Sequence, residues 1–150
     1  MTCTTESLHE AIKKSVPALM AVAGWLVRFE KYEVRIPNIW NEDKSPDCGD
    51  LFVTDANNVT KTFEVKGHPG VPWATLNAYP WILIDRVDIF DAKARCPDFY
   101  VITSSELTHA LTIAMPYEID MTTQQIKDKR TGKMNHCYGL PRSAFKEVRL

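Results

Sequence analysis

The chain has 150 residues, 45% hydrophobic and 25% charged, with a formal net charge of -1. That length suits one soluble globular domain, able to bury a core without disulfide or metal staples. The composition excludes a disordered, collagen-like or coiled-coil chain, and no internal repeat is present.

The helical pattern begins near Thr4-Thr5-Glu6-Ser7, which supplies N-cap residues. Val16 to Val27 ("VPALMAVAGWLV") is apolar over 12 residues. A bilayer span takes about 20, so no membrane partner is expected. The acids Glu6 and Glu10 ahead of this run argue against a signal peptide. Pro17 is expected to kink or restart the helix, and Ala18 to Phe29, apolar nearly all round, to sit centrally in the core. "YEVRIP" (Tyr32 to Pro37) alternates and reads as a first strand. "NIWNEDKSPDCG" is a loop, followed by a hairpin from Asp50 to Lys66 with its turn at Asn57-Asn58.

"GHPGVPWATLNAYPW" reads as mostly irregular, and Trp81 to Phe90 as a strand with embedded acids. Asp85, Asp88 and Asp91 would share one face of a helix and hint at a metal site. The apolar residues between them point instead to buried structure. "DFYVITS" is a buried strand, and "ALTIAM" a further one. The polar, basic segment from Asp120 to Gly139 reads as exposed, and Pro141 to Val148 as a short terminal helix. The fold class is therefore α/β: a mixed sheet with a leading helix and a central β-hairpin, as a single domain over residues 1–150.

The four cysteines, Cys3, Cys48, Cys96 and Cys137, are far apart and form no close-spaced pair. Structural zinc and disulfides are disfavoured, and free thiols in a reducing cytoplasm are expected. Charge is uneven. From Met121 onward the balance is +5, against -6 for the rest. Such a basic segment is either a solvated surface or a local nucleic-acid footprint.

The hairpin carries the strongest signal. Side chains alternate along a strand, and Leu51 and Val53 must share the core with Phe63 and Val65. That match gathers Asp50, Glu64 and Lys66 on the opposite face. A two-residue loop would set Asp50 on the wrong face. The pattern therefore predicts a three-residue loop or a bulge, with Asn57 or Asn58 at positive φ.

Asp50, thirteen intervening residues and then Glu64-Val65-Lys66, in the stretches "GDLFV" and "FEVKG", resemble the core motif of the PD-(D/E)XK nuclease superfamily. The leading helix and the strand "YEVRIP" match its usual element order. The resemblance implies a restriction-endonuclease-like core and a metal-dependent endonuclease, a hydrolase acting on nucleic acid, most readily DNA. It implies that Asp50, Glu64 and the Val65 carbonyl bind Mg²⁺ or Mn²⁺, and that Lys66 supports the nucleophile. The donors are hard oxygens, as those ions require. It also implies an acid from the first helix, for which Glu10 is the candidate ahead of Glu30. Asp47, in the loop, is a poorer motif acid than Asp50.

Lys127, Lys129, Arg130 and Lys133, with His68, are the candidates for DNA-binding phosphate contacts. Trp73, Tyr79 and Trp81 could stack on bases, although packing is the plainer role. No phosphate-binding Gly-rich loop, H-E-x-x-H or G-x-S-x-G motif is present. The small size suggests structure-directed cutting or dependence on a homodimer or protein partner, and a phage origin fits so compact a member. The alternative is a catalytically silent module that binds a protein or nucleic acid, because fold does not fix function.

Overall fold

The computed structural model describes residues 5–36, 50–68, 70–93, 95–115, 121–128 and 132–150, without the side chains of 5–14. In chain order the elements are α1 (Thr5–Arg28), β1 (Glu33–Arg35), β2 (Leu51–Thr54), β3 (Thr60–Gly67), α2 (Trp73–Ala78), β4 (Trp81–Arg86) and α3 (Val87–Asp91). There follow β5 (Phe99–Thr103), β6 (His109–Ala114), β7 (Thr122–Lys127), β8 (Met134–Pro141), a 3-10 turn (Arg142–Ala144) and β9 (Lys146–Arg149).

A six-stranded sheet runs β1-β2-β3-β5-β6-β9, and a three-stranded sheet runs β4-β8-β7. The large sheet is mixed: β3 and β5 are parallel, and its other pairs antiparallel. The class is thus α/β with a mixed sheet, as the residue pattern predicts. The parallel pair needs a crossover, which contains α2, β4 and α3.

Two cores result. Ala18, Val22 and Leu26, one helical turn apart on α1, pack with Leu51, Val53, Phe63, Val65 and Val101 on one face of the large sheet. Tyr100, Ile102, Leu111 and Ile113 on the other face meet Ile82, Ile84 and Leu140 of the small sheet. Gly67 lets the helix approach, since a Cβ there would stand 3.1 Å from the Ala18 Cβ.

The hairpin register pairs Leu51 with Phe63 and Thr54 with Thr60. Three residues, Ala56 to Asn58, form the loop. Asn58 takes φ 61°, and the Asp55 N–H donates to the Val59 carbonyl at 3.0 Å. Asp55 Oδ1 accepts from the N–H groups of Asn57 and Val59, so the acid that opens the loop also fixes it.

Several expectations need correction. The leading helix is continuous through Pro17, although proline removes one internal hydrogen bond there. It is also amphipathic: Met20, Val27 and Phe29 are exposed. Trp81 to Phe90 divides into strand β4 and helix α3, so Asp85 is separated from Asp88 and Asp91. The supposedly irregular stretch after the hairpin holds α2, entered through Pro72. The segment expected to be exposed loop supplies β7 and β8. Gln124 and Ile126 alternate with more exposed neighbours there, and an edge sheet tolerates a polar outer face. The expected terminal helix is one 3-10 turn and strand β9, because Lys146 to Arg149 satisfy the open edge of β6.

Candidate active site

Phe63, Val65 and Gly67 of β3 face α1, so Thr62, Glu64 and Lys66 share the opposite face, where Lys66 meets Asp85 of the small sheet. The Glu64 side chain is only 5% exposed, and its Oε1 lies 2.9 Å from Lys66 Nζ. Lys66, at 29%, is the more open member of the pair.

Asp85 reaches the same place through a β-bulge. Ile82 faces Leu140 and Leu83 faces Gly139, but the next pair is Asp85 with Tyr138. Ile84 is the extra residue. An unbroken ladder would put Asp85 on the outer face with Leu83. The bulge turns it inward, toward β3. Its side chain is 5% exposed, with Oδ2 at 3.4 Å from Lys66 Nζ. The Tyr100 hydroxyl donates to the same oxygen at 3.2 Å, and the Arg86 N–H donates to Oδ1 at 3.1 Å.

A second lysine completes the cluster. Lys93, just after α3, is 1% exposed, with Nζ at 3.4 Å from Glu64 Oε1 and 3.6 Å from Asp85 Oδ2. Two buried carboxylates thus face two ammonium groups. Each alone would be heavily penalised in so dry a place. Burial pulls the Lys66 pKa down, but the Glu64 and Asp85 carboxylates outweigh it, and the net shift is upward. Burial, then Asp85 and Glu64, push the Tyr100 hydroxyl far up, so it remains a donor. Glu64 Oε2 is buried with no hydrogen-bond partner among the described residues. Leaving such an atom unsatisfied costs about 1–3 kcal/mol.

Asp50 stands at the mouth of the hairpin, where the ladder stops. Its N–H donates to the Phe63 carbonyl at 2.8 Å, and its Oδ2 accepts from the Val65 N–H at 2.8 Å. The carboxylate thereby replaces a strand neighbour for Val65. The N–H and C=O of a strand residue point the same way, so the Val65 carbonyl opens toward Asp50 as well.

His68 follows on the same face as Lys66 and donates its N–H to the Thr103 carbonyl at 3.4 Å. Burial, and then the Lys66 charge, hold its imidazole pKa below 6.5. With Tyr79, Trp81, Leu83 and Gln124 it lines a pocket of about 330 Å³. Trp73 is instead stacked on His109, ring centroids 4.8 Å apart.

Lys127 and Lys133 sit at the turn end of the β7–β8 hairpin, where Lys127 pairs with Met134. That end lies three residue pairs, about 10 Å, beyond Cys137, the partner of Arg86. Their backbone thus lies apart from Asp85, toward the turn end of the small sheet. Lys129, Arg130 and Asp47 lie outside the described residues, as does the Glu10 side chain. Glu30 is exposed in the turn after α1.

Sequence reasoning missed Asp85 and Lys93 as members of this cluster. In the sequence Asp85 stands out only as an acid within an apolar strand, and nothing ties Lys93 to it. Among the described residues, no group of three or more His, Cys, Asp or Glu side chains is arranged to hold a metal ion. No helix is long and apolar enough to cross a membrane, again among the described residues. No family model matches the chain, and neither a curated protein nor a solved structure matches it.

Proposed function

We propose that the protein is a Mg²⁺- or Mn²⁺-dependent endonuclease that hydrolyses phosphodiester bonds, in DNA before RNA. The observation that carries this reading is Glu64. It is a buried acid paired at 2.9 Å with Lys66 on the same strand face, with one carboxylate oxygen buried and unpartnered among the described residues. The helix, strand and hairpin order of α1, β1, β2 and β3 supports it, as does Asp50 beside Val65.

The donor chemistry fits a hard divalent cation. Glu64, Asp50 and the Val65 carbonyl would hold it, each through oxygen. When bound, the ion would supply charge stabilisation and a more acidic water. The chain's own groups do the rest. Lys66 stays protonated and presents its ammonium to a phosphate oxygen or the attacking water. Lys93 balances the buried acids. The small sheet keeps bulk water from Glu64 and Asp85, which strengthens every charge interaction there.

The test is cleavage of plasmid and single-stranded DNA with Mg²⁺, Mn²⁺ or EDTA, comparing wild type with Glu64→Ala and Lys66→Ala. Metal-dependent cutting lost in both variants is the expected result. A folded wild type that cuts nothing under any condition overturns the reading. One observation favours the second reading, a silent module that binds a protein or nucleic-acid partner. Lys66 and Lys93 already neutralise Glu64 and Asp85, as in a purely structural ion cluster. Binding of DNA without cleavage would select it.

A further inference from the structure

Asp85 is a carboxylate that the hairpin motif does not contain. It comes from the other sheet, yet it converges with Glu64 on common points. Lys66 Nζ is 2.9 Å from Glu64 Oε1 and 3.4 Å from Asp85 Oδ2. For Lys93 Nζ the two distances are 3.4 and 3.6 Å. A cation held by both oxygens is therefore already the arrangement, with an ammonium as the occupant.

Two acids together do not make a metal site. The further observation here is Glu64 Oε2, buried and, among the described residues, without a hydrogen-bond partner, on a side chain 95% removed from solvent. Both ammonium groups contact Oε1, which leaves the lone pairs of Oε2 open to a further oxygen-seeking ligand. Lys66 and Lys93 also differ in freedom. Lys66 is 29% exposed at the end of a flexible stem and can swing outward, whereas Lys93, at 1%, is enclosed. With Lys66 withdrawn, two carboxylates face one ammonium, and the cluster carries a net negative charge. Mg²⁺ commonly binds through one or two carboxylates and completes its shell with water and phosphate oxygens.

We propose that Glu64 and Asp85 together bind a divalent cation of the Mg²⁺ or Mn²⁺ class, Asp85 being a metal ligand supplied by the small sheet. Lys66 is then released toward the substrate phosphate. This rests on the hydrolytic reading above and deepens it: the site is assembled from both sheets, and Asp50 is not its sole second acid. The Oδ2 of Asp50 also holds the end of the β2–β3 ladder.

The experiment measures Mn²⁺ binding to the full chain without nucleic acid, by electron paramagnetic resonance of the free ion, for wild type, Asp85→Asn and Tyr100→Phe. Wild type is expected to bind. Asp85→Asn should lose at least tenfold in affinity, and Tyr100→Phe, which keeps the carboxylate, should lose far less. Wild-type affinity in a folded Asp85→Asn overturns the ligand role and leaves the hydrolytic reading standing. No Mn²⁺ binding by wild type overturns the two-sheet site, while the cleavage assay decides the hydrolytic reading separately.

Should Asp85→Asn not fold, paramagnetic broadening in wild-type spectra decides. Loss of the Tyr100 ring and Arg86 amide signals supports the proposal. Broadening around Leu51 and Val65 that spares those two groups overturns it.

Discussion

Lys93 Nζ lies 3.4 Å from Glu64 Oε1, and its side chain is 1% exposed, so a residue just after α3 neutralises an acid on β3. Removing one partner of a buried ion pair leaves the other charge uncompensated, at about 3–5 kcal/mol. Lys93→Met should lower unfolding free energy by that amount in denaturant titrations. On the proposed metal site, Mg²⁺ should restore more stability to this variant than to wild type, because it would bind only the folded state. A variant as stable as wild type would remove Lys93 from the cluster.

Glu64→Gln should leave the fold intact and slow DNA cleavage by about 100-fold or more, the scale seen when one charge-stabilising group leaves a catalytic site. It should also lower the Lys66 pKa, since burial then meets less opposition. The raised pKa of Lys66 means that its ion-pair stabilisation is fully present below pH 10.5. It fades as pH climbs through the higher folded value. Carbon-13 spectra of reductively methylated lysines would record that titration in both proteins.

His68 contributes with the opposite sign. Burial and the nearby Lys66 charge depress its pKa below 6.5, so the unfolded chain takes up a proton that the folded chain resists. Stability should fall as pH drops through 6.5 toward the folded value, and the loss is complete below it. Thermal melts across that range should show a shallower acid slope for His68→Asn. An unchanged slope would mean that other groups set the acid limit.

Gly67→Val tests how closely the helix must approach the sheet. The new Cβ would meet Ala18 Cβ at 3.1 Å, and the further methyl groups would crowd α1. Overpacking of this kind costs about 1–3 kcal/mol. Gly67→Ala should cost less, and both are read from denaturant midpoints at constant slope.

The hairpin was legible because one face is buried. Alternation from Leu51 to Val53 and from Phe63 to Val65 leaves only one register, and Asn58 accepts the positive φ that this register requires. Asp85 was not legible. Counted by parity from Leu83 it faces outward, and only the bulged Ile84 reverses it. Nothing in "WILIDR" encodes that bulge locally; it arises from pairing with β8, some fifty residues later. β9 and the β7–β8 pair were missed for a related reason. Their sequences are polar enough for loops, and they become strands because open sheet edges need partners.

The small sheet is stitched from two distant stretches of chain. β4 lies in the crossover between β3 and β5, while β7 and β8 follow β6. During synthesis the hairpin bearing Glu64 and Lys66 emerges long before Tyr138, the cross-strand neighbour that turns Asp85 inward. A domain generally folds as a unit during synthesis, and an isolated two-stranded hairpin is marginal on its own. The buried cluster is therefore complete only once β8 is available to place Asp85. A ribosome-bound or prematurely terminated chain would carry the hairpin without the finished cluster, which ties assembly of the site to completion of translation through β8.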